Sequence, residues 1–242
     1  MIVPWAFILC AVLAGVGLTF GNGAAQVITS GPSGCKAVAL TFDMCPVREG
    51  GGYDAPLIDL LIERRIPATF FLSGRWIAAH EAEVKKLLAV PFFELGTHGQ
   101  VHAHLPGLDA DRQRAEIIGP VTLLEKRFGY HGSLFRPPYG EYDDTTVEIA
   151  QALGLQFILW SAVSGDPDPH LSPERMLGDL RTKVRGGSIV VFHANGKGLH
   201  TRAVVEDLSQ ELLKKGLQPV TVTELLGRCN ASADHDPTAS NR

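Results

Sequence analysis

Ala37-Val38-Ala39-Leu40-Thr41-Phe42 leads into Asp43, then into a stretch with apolar residues at Leu57, Ile58, Leu60, Leu61 and Ile62, then into a second apolar run, Ala68-Thr69-Phe70-Phe71-Leu72. The two runs read as buried strands, because short segments rich in apolar, β-branched and aromatic residues have no face to offer water. The segment between them reads as a helix over 55–65 docked on a sheet by one face. A strand, a helix and a strand with short connections form the parallel unit with a right-handed crossover.

The alternation runs on toward the C-terminus. Helices are predicted over 76–90, 111–128, 144–153, 173–184 and 203–215, with Gly154 and Gly216 as stop signals. Strands are predicted over 92–95, 134–136, 155–160, 188–192 and 219–222. Periodicity alone does not separate a barrel from a doubly wound sheet. A chain of 242 residues has room for one such domain. Hydrophobic residues make up 45% and charged residues 20%, an ordinary globular balance. The net charge of -4 removes nucleic acid as an expected partner, since no basic field is available for phosphates.

Met1 to Phe20 carries no charged side chain, and Gly23-Ala24-Ala25 supplies small residues for a signal peptidase. Residues 1–25 are therefore expected to be a signal peptide cut near Ala25-Gln26, with an uncleaved membrane anchor as the alternative. Either reading places the rest of the chain outside the cytoplasm, secreted or periplasmic, without membrane contact beyond that segment. Residues 26–35 are expected to be a linker, 36–228 the domain and 229–242 a polar, disordered tail. A monomer is expected.

Chemistry-bearing residues gather after the predicted strands. Asp43 follows the first, His98 and His102 the third, Arg136 and Tyr139 the fourth and Asp166 the fifth, while His193 ends the sixth. In parallel β/α folds that edge is where loops converge and active sites form. His98-Gly99-Gln100-Val101-His102 puts two imidazoles on one face of a helical turn, where they could hold a divalent cation, with Zn²⁺ the default. Taken alone, two loop histidines is the plainer reading, and the position after a strand reverses it. His104 would lie about 200° round such a turn from His98 and is not expected to be a ligand. Asp43 suits a general base beside a metal and an arginine, or a cap. His193, expected at the opposite side of a barrel mouth, suits a general acid or a satisfied core-edge histidine. Arg136 cannot lose its charge, and Pro137 and Pro138 would fix Tyr139 and its amide as an oxyanion site requires.

These residues resemble the polysaccharide deacetylase family, also called the NodB-homology domain or carbohydrate esterase family four. The likeness runs from about Lys36 to Leu226 through Leu40-Thr41-Phe42-Asp43, Ala68-Thr69-Phe70-Phe71, Gly96-Thr97-His98 to His102, Phe135-Arg136-Pro137-Pro138-Tyr139-Gly140, Val163 to Asp166 and Ile189 to His193. The resemblance implies an α/β fold, a deformed (β/α)7 barrel that is NodB-like, and metal-dependent removal of acetyl groups from N- or O-acetylated glycans. It implies Asp43 as base, His193 as acid, His98 and His102 as metal ligands, Arg136 orienting the base, the Tyr139 amide in the oxyanion site, and Asp166 supporting Arg136 and His193. The cofactor would be a divalent cation, Zn²⁺ by default, with Co²⁺, Ni²⁺ or Mn²⁺ as alternatives.

The sequence departs from the family at Met44, where a second aspartate usually serves as a metal ligand. A thioether is a poor ligand for a hard or borderline cation. Asp54, Cys45 or Asp43 itself could replace it. Cys45 is read first as a small buried residue, although zinc would deprotonate it. Asp54 is also a good cap for the helix beginning at Ala55. Pro167 stands where the family often has Trp, so the substrate groove is expected to differ. Met44 also leaves room for a catalytically weak or inactive carbohydrate-binding protein on the same scaffold. A glycosidase using Asp43 and Asp166 would leave the histidine pair idle.

Beyond Cys10 in the leader, the chain carries Cys35, Cys45 and Cys229, an odd number that implies one pair and one free thiol. A closed barrel would bring Cys35 and Cys229 together. An extended strand would hold Cys35 and Cys45 about 30 Å apart, too far to bridge.

Overall fold

The structure, a computed structural model, describes residues 26–47 and 51–230, with the side chains of 228–230 outside that description. The expected signal peptide, the residues of the tail beyond 230 and the Cys229 half of the expected Cys35–Cys229 bridge therefore lie outside the described residues.

In chain order the elements are β1 (Val27–Ile28), β2 (Ala37–Met44), α1 (Ala55–Glu63), β3 (Ala68–Leu72), α2 (Gly74–Ala79), α3 (Glu81–Leu88), β4 (Phe93–Thr97), α4 (Ala110–Phe128), β5 (Leu134–Phe135), α5 (Asp144–Ala152), β6 (Gln156–Ile158), β7 (Ala162–Val163), α6 (Pro173–Lys183), β8 (Ile189–His193), α7 (Thr201–Lys214), β9 (Gln218–Val220) and α8 (Val222–Asn230). Their strands form one sheet in the order β1-β6-β5-β4-β3-β2-β8-β7, with β9 on the first half of β2. All of its strand pairings are parallel. Only residues 159–161 separate β6 from β7, so the path bends back on itself and the curled sheet makes the expected deformed barrel.

Strand parity sorts β2 between two layers. Val38, Leu40, Phe42 and Met44 pack outward with Leu57, Ile58 and Leu61 of α1 and Val204, Val205 and Leu208 of α7. The Phe42 ring stacks between Phe70 and Phe192, with centroids 5.4 and 5.6 Å away. Ala37 and Ala39 face inward with Phe71, Ile158 and Ile189. Their small size leaves room inside the barrel for the larger side chains of neighbouring strands.

Helix ends follow the capping residues. Asp54 accepts a hydrogen bond from the Leu57 amide at 3.1 Å and caps α1. Asp109 caps α4, which ends at Gly129 in the left-handed conformation, φ 64°. Asp143 and Thr146 form a reciprocal capping box on α5.

Several expectations change. The helix predicted over 76–90 is broken at His80, whose Nδ1 lies 3.0 Å from the Trp76 carbonyl, the group that residue 80 would use to continue the helix. The supposed linker contributes β1, which pairs with Phe157 and Ile158. Two-residue strands such as β1 and β7 carry too little pattern to read from sequence. The chain after β9 turns directly into α8, so helix reaches Asn230, beyond the expected domain end at 228.

Candidate active site

Asp43 and His193 are register partners in the adjacent parallel strands β2 and β8. Side chains at paired positions share a face, and such strands lie about 4.8 Å apart. His193 is therefore the immediate neighbour of Asp43, not a residue across the barrel mouth as expected.

Asp43 is buried and doubly engaged. Its Oδ1 accepts a hydrogen bond from Arg136 Nη1 at 2.8 Å, and its Oδ2 lies 3.6 Å from His98 Nε2. Burial pushes its carboxyl up, but Arg136, His98 and His193 outweigh burial and hold it below the ordinary carboxylate value. Arg136 is fully buried, donates to the carbonyls of Ile158 and Leu159, and lies over the Phe71 ring at 4.0 Å. The buried pair thus has its spare donors satisfied, as a charge taken out of water requires.

His98 is equally fixed. Its Nδ1 lies 2.9 Å from the Arg136 carbonyl, which can only accept. Nδ1 therefore carries the proton and Nε2 is free to bind a cation. His102 sits in the left-handed region at φ 64°, and its ring meets that of His98 edge-on with centroids 4.9 Å apart. The segment is a loop, not the helical turn expected from the spacing. The Gly99 and Gln100 carbonyls accept from the amides of Gly74 and Arg75, which pulls the loop over the start of α2. Gly99 has φ 72°, and a Cβ there would stand 2.9 Å from Pro138.

A buried carboxylate that sequence reasoning passed over completes this loop. Glu116, on α4, accepts from the amides of Gln100 and Val101, each at 3.0 Å to Oε2. Glu116→Ala is expected to lower stability by about 1–3 kcal/mol in chemical denaturation, and Glu116→Gln, which keeps an acceptor oxygen, by clearly less. Equal losses would mean that the acceptor does not hold the loop.

Cys45 follows Asp43 by two residues and continues the inward face of β2. Its thiol and one nitrogen each of His98 and His102 all lie within 4.8 Å of one another. Burial pushes the thiol up, but hydrogen bonding to His102, His193 and His98 overrides it and holds the thiol well below its ordinary value. A buried thiol drawn toward its thiolate by imidazoles, one already oriented by a backbone carbonyl, is a donor set suited to a borderline cation such as Zn²⁺. Cys45 is buried as expected, and its thiol stands within reach of both imidazoles. Met44, at the position of the family's aspartate, is buried in the outer core; of the other candidates, Asp54 is committed to its helix cap and Asp43 is paired with Arg136. Asn195 Nδ2 donates to the Cys45 carbonyl at 2.8 Å and fixes the strand end.

His193 Nδ1 lies 2.9 Å from Asp166 Oδ1, leaving Nε2 toward the site. Burial lowers the imidazole pKa, but the Asp166 hydrogen bond, with Cys45 and Asp43, raises it to about 10. Asp166 is buried and also accepts from the His193 amide and the hydroxyls of Ser164 and Thr201. It serves His193 and, among the described contacts, makes none with Arg136, so the expected support of both reduces to one. Tyr139 is 53% exposed at φ 61°, and its ring stacks on His104 with centroids 4.1 Å apart. His104 thus packs on Tyr139 and lies outside the thiol–imidazole group.

The sequence matches the profile described as polysaccharide deacetylase over residues 30–158. A peptidoglycan-N-acetylglucosamine deacetylase of Bacillus cereus is 30% identical over 198 residues, 81% of this chain and 90% of the relative. Among solved structures, a CE4-family pseudoenzyme from Bacillus anthracis superposes with a TM-score of 0.76 at 26% identity, covering 84% of this chain and 69% of its own. The Bc1960 peptidoglycan N-acetylglucosamine deacetylase, in complex with 4-naphthalen-1-yl-N-oxidanyl-benzamide, gives 0.76 at 26% identity, covering 83% and 92%.

Proposed function

The chain belongs to the polysaccharide deacetylase family, and from that premise we propose that it is an exported, metal-dependent hydrolase that removes acetyl groups from an N- or O-acetylated glycan. The observation that carries this reading is the meeting of Asp43, His193 and the Cys45–His98–His102 group at one strand-end edge.

Cys45, His98 and His102 would hold the cation, Zn²⁺ by preference of the thiolate and imidazole donors. When bound, such a cation supplies Lewis-acid polarisation and makes water more acidic. Asp43, kept ionised by Arg136, takes the proton from the attacking water. Arg136 holds one carboxylate oxygen, which leaves the other toward His98 and the reacting centre. His193, protonated at neutral pH and steadied by Asp166, gives its proton to the departing amine or alkoxide as the acetyl carbon–heteroatom bond breaks. The Tyr139 amide, set by a left-handed turn behind two prolines, serves the developing oxyanion.

The test is metal analysis of the purified mature protein together with acetate release from acetylated chitooligosaccharide, peptidoglycan and xylan. His98→Ala is expected to lower both metal content and acetate release. Unchanged metal occupancy would remove His98 from the ligand set. A second reading, a non-catalytic glycan binder, is favoured by Met44 and by the pseudoenzyme neighbour. Glycan binding at full metal occupancy, without acetate from any of the substrates, would establish it.

A further inference from the structure

A groove of about 660 Å³ opens beside the site, and its walls include His102 and Tyr139. It therefore leads directly to the reacting centre. Arg75 and Lys197 line it, and among its described lining residues there is no carboxylate. Both cations are exposed, and neither makes an ion pair among the described residues. Unpaired cations occur elsewhere on the surface too, Arg65, Lys85 and Lys126 among them, so what sets the groove apart is that two line it together with no carboxylate among its described lining residues.

The backbone of each of these residues is tied to the elements that build the site. The Arg75 amide donates to the Gln100 carbonyl at 2.8 Å, which ties it to the His98–His102 loop. The Lys197 amide donates to Asn195 Oδ1 at 3.2 Å, and the same Asn195 donates to the Cys45 carbonyl. Each residue is thus anchored through its backbone beside the loop or strand end that carries the imidazoles or the thiol. Two unpaired cations lining a sugar-sized groove favour an anionic sugar over a neutral one, to which they offer hydrogen bonds without charge attraction.

We propose that this groove selects acetylated glycans that carry a carboxylate on the acetylated sugar or its neighbour, and that Arg75 and Lys197 are the specificity-determining residues. The proposal rests on the deacetylase reading for the orientation of the glycan, while the charge recognition belongs to the groove. An arginine suits a carboxylate by its planar fork, and a lysine acts as a point charge. The carboxylate could be a lactyl ether, as on N-acetylmuramic acid, or a uronic acid.

Calorimetric binding tests this without depending on turnover. The probes are a tetrasaccharide of alternating N-acetylglucosamine and N-acetylmuramic acid, an acetylated xylooligosaccharide bearing a uronate, and the carboxyl-reduced form of each. The metal-loaded protein should bind at least one of the carboxylate forms about fivefold or more tightly than its reduced form, the scale of one or two solvent-exposed charge-assisted contacts. The probe that shows the preference identifies the source of the carboxylate. The preference should shrink as salt rises from 0.05 to 0.5 M. In the Arg75→Gln/Lys197→Gln double variant the two forms should bind to within about twofold, and Arg75→Lys should keep most of the preference. Circular dichroism verifies folding of each variant. Equal binding of both forms of both glycans by the wild type, or an undiminished preference in the double variant, would overturn the proposal. Charge-dependent binding without acetate release would overturn the deacetylase reading and leave this one standing.

Discussion

Cys45→Ala is expected to leave a folded protein that has lost its cation and, with it, acetate release. The thiol is the candidate ligand atom just beyond β2, since Met44 points into the outer core and Asp54 caps α1. Removing it leaves two imidazoles and water, a weak set for any divalent ion at neutral pH. Loss of an outer partner of a metal ligand lowers affinity by about 10–100-fold, and loss of a ligand itself should exceed that. The stability cost of the missing sulfur in the metal-free protein is on the order of 1 kcal/mol, because the deleted volume is small. Cys45→Asp sharpens the test. It returns a carboxylate to the inward face two positions after Asp43, and should shift the preference from Zn²⁺ toward Mn²⁺, a metal suited to oxygen donors. Metal content by mass spectrometry, a denaturation curve and acetate release decide the matter together. A Cys45→Ala protein that keeps stoichiometric metal and turnover would return Cys45 to the role of a small buried residue.

Asp43→Asn should keep the metal and lower turnover by about 10² or more, the scale for loss of a general base. It has a structural consequence as well. Arg136 is wholly buried and Asp43 is the acid paired with it, so neutralising position 43 leaves a guanidinium with only carbonyl and amide acceptors. Breaking a buried pair from one side costs about 3–5 kcal/mol. The pH dependence follows with a definite sign. Asp43 is held below its ordinary value in the folded chain, so the unfolded chain takes up the proton first. The pair's contribution is complete above the ordinary aspartate pKa of about 3.9, and is lost as pH falls through the folded value. Asp43→Asn should flatten that acid limb. Wild-type turnover in the variant would reject the base, and an unchanged acid limb would reject the pairing.

The alternation of strand and helix was legible because each strand is a run without a polar face and each helix has one apolar stripe. The strand-end residues were legible for the same reason. Asp43, His98, Arg136 and His193 are polar side chains attached to runs that otherwise avoid them. The chain pairing that makes Asp43 and His193 neighbours was not legible, because periodicity gives the strands and not their order. The loop conformation of His98–His102 was missed for a related reason. Its shape comes from Glu116, on a helix that follows it in the chain, and from the start of α2. Cys45 is different, because its signal was present. Ala37, Ala39, Thr41, Asp43 and Cys45 share one parity, while Val38, Leu40, Phe42 and Met44 share the other. Once Asp43 is placed inward, the next inward side chain is Cys45. Reading the Met44 substitution by motif position alone obscured this.

X-ray absorption at the metal edge of the zinc-loaded protein tests the central claim most directly. The account predicts one sulfur at about 2.3 Å and two imidazole nitrogens at about 2.0 Å, with light-atom scattering filling the remainder, and loss of the sulfur shell in Cys45→Ser. A first shell of nitrogen and oxygen alone, in a protein that binds zinc stoichiometrically, would contradict it.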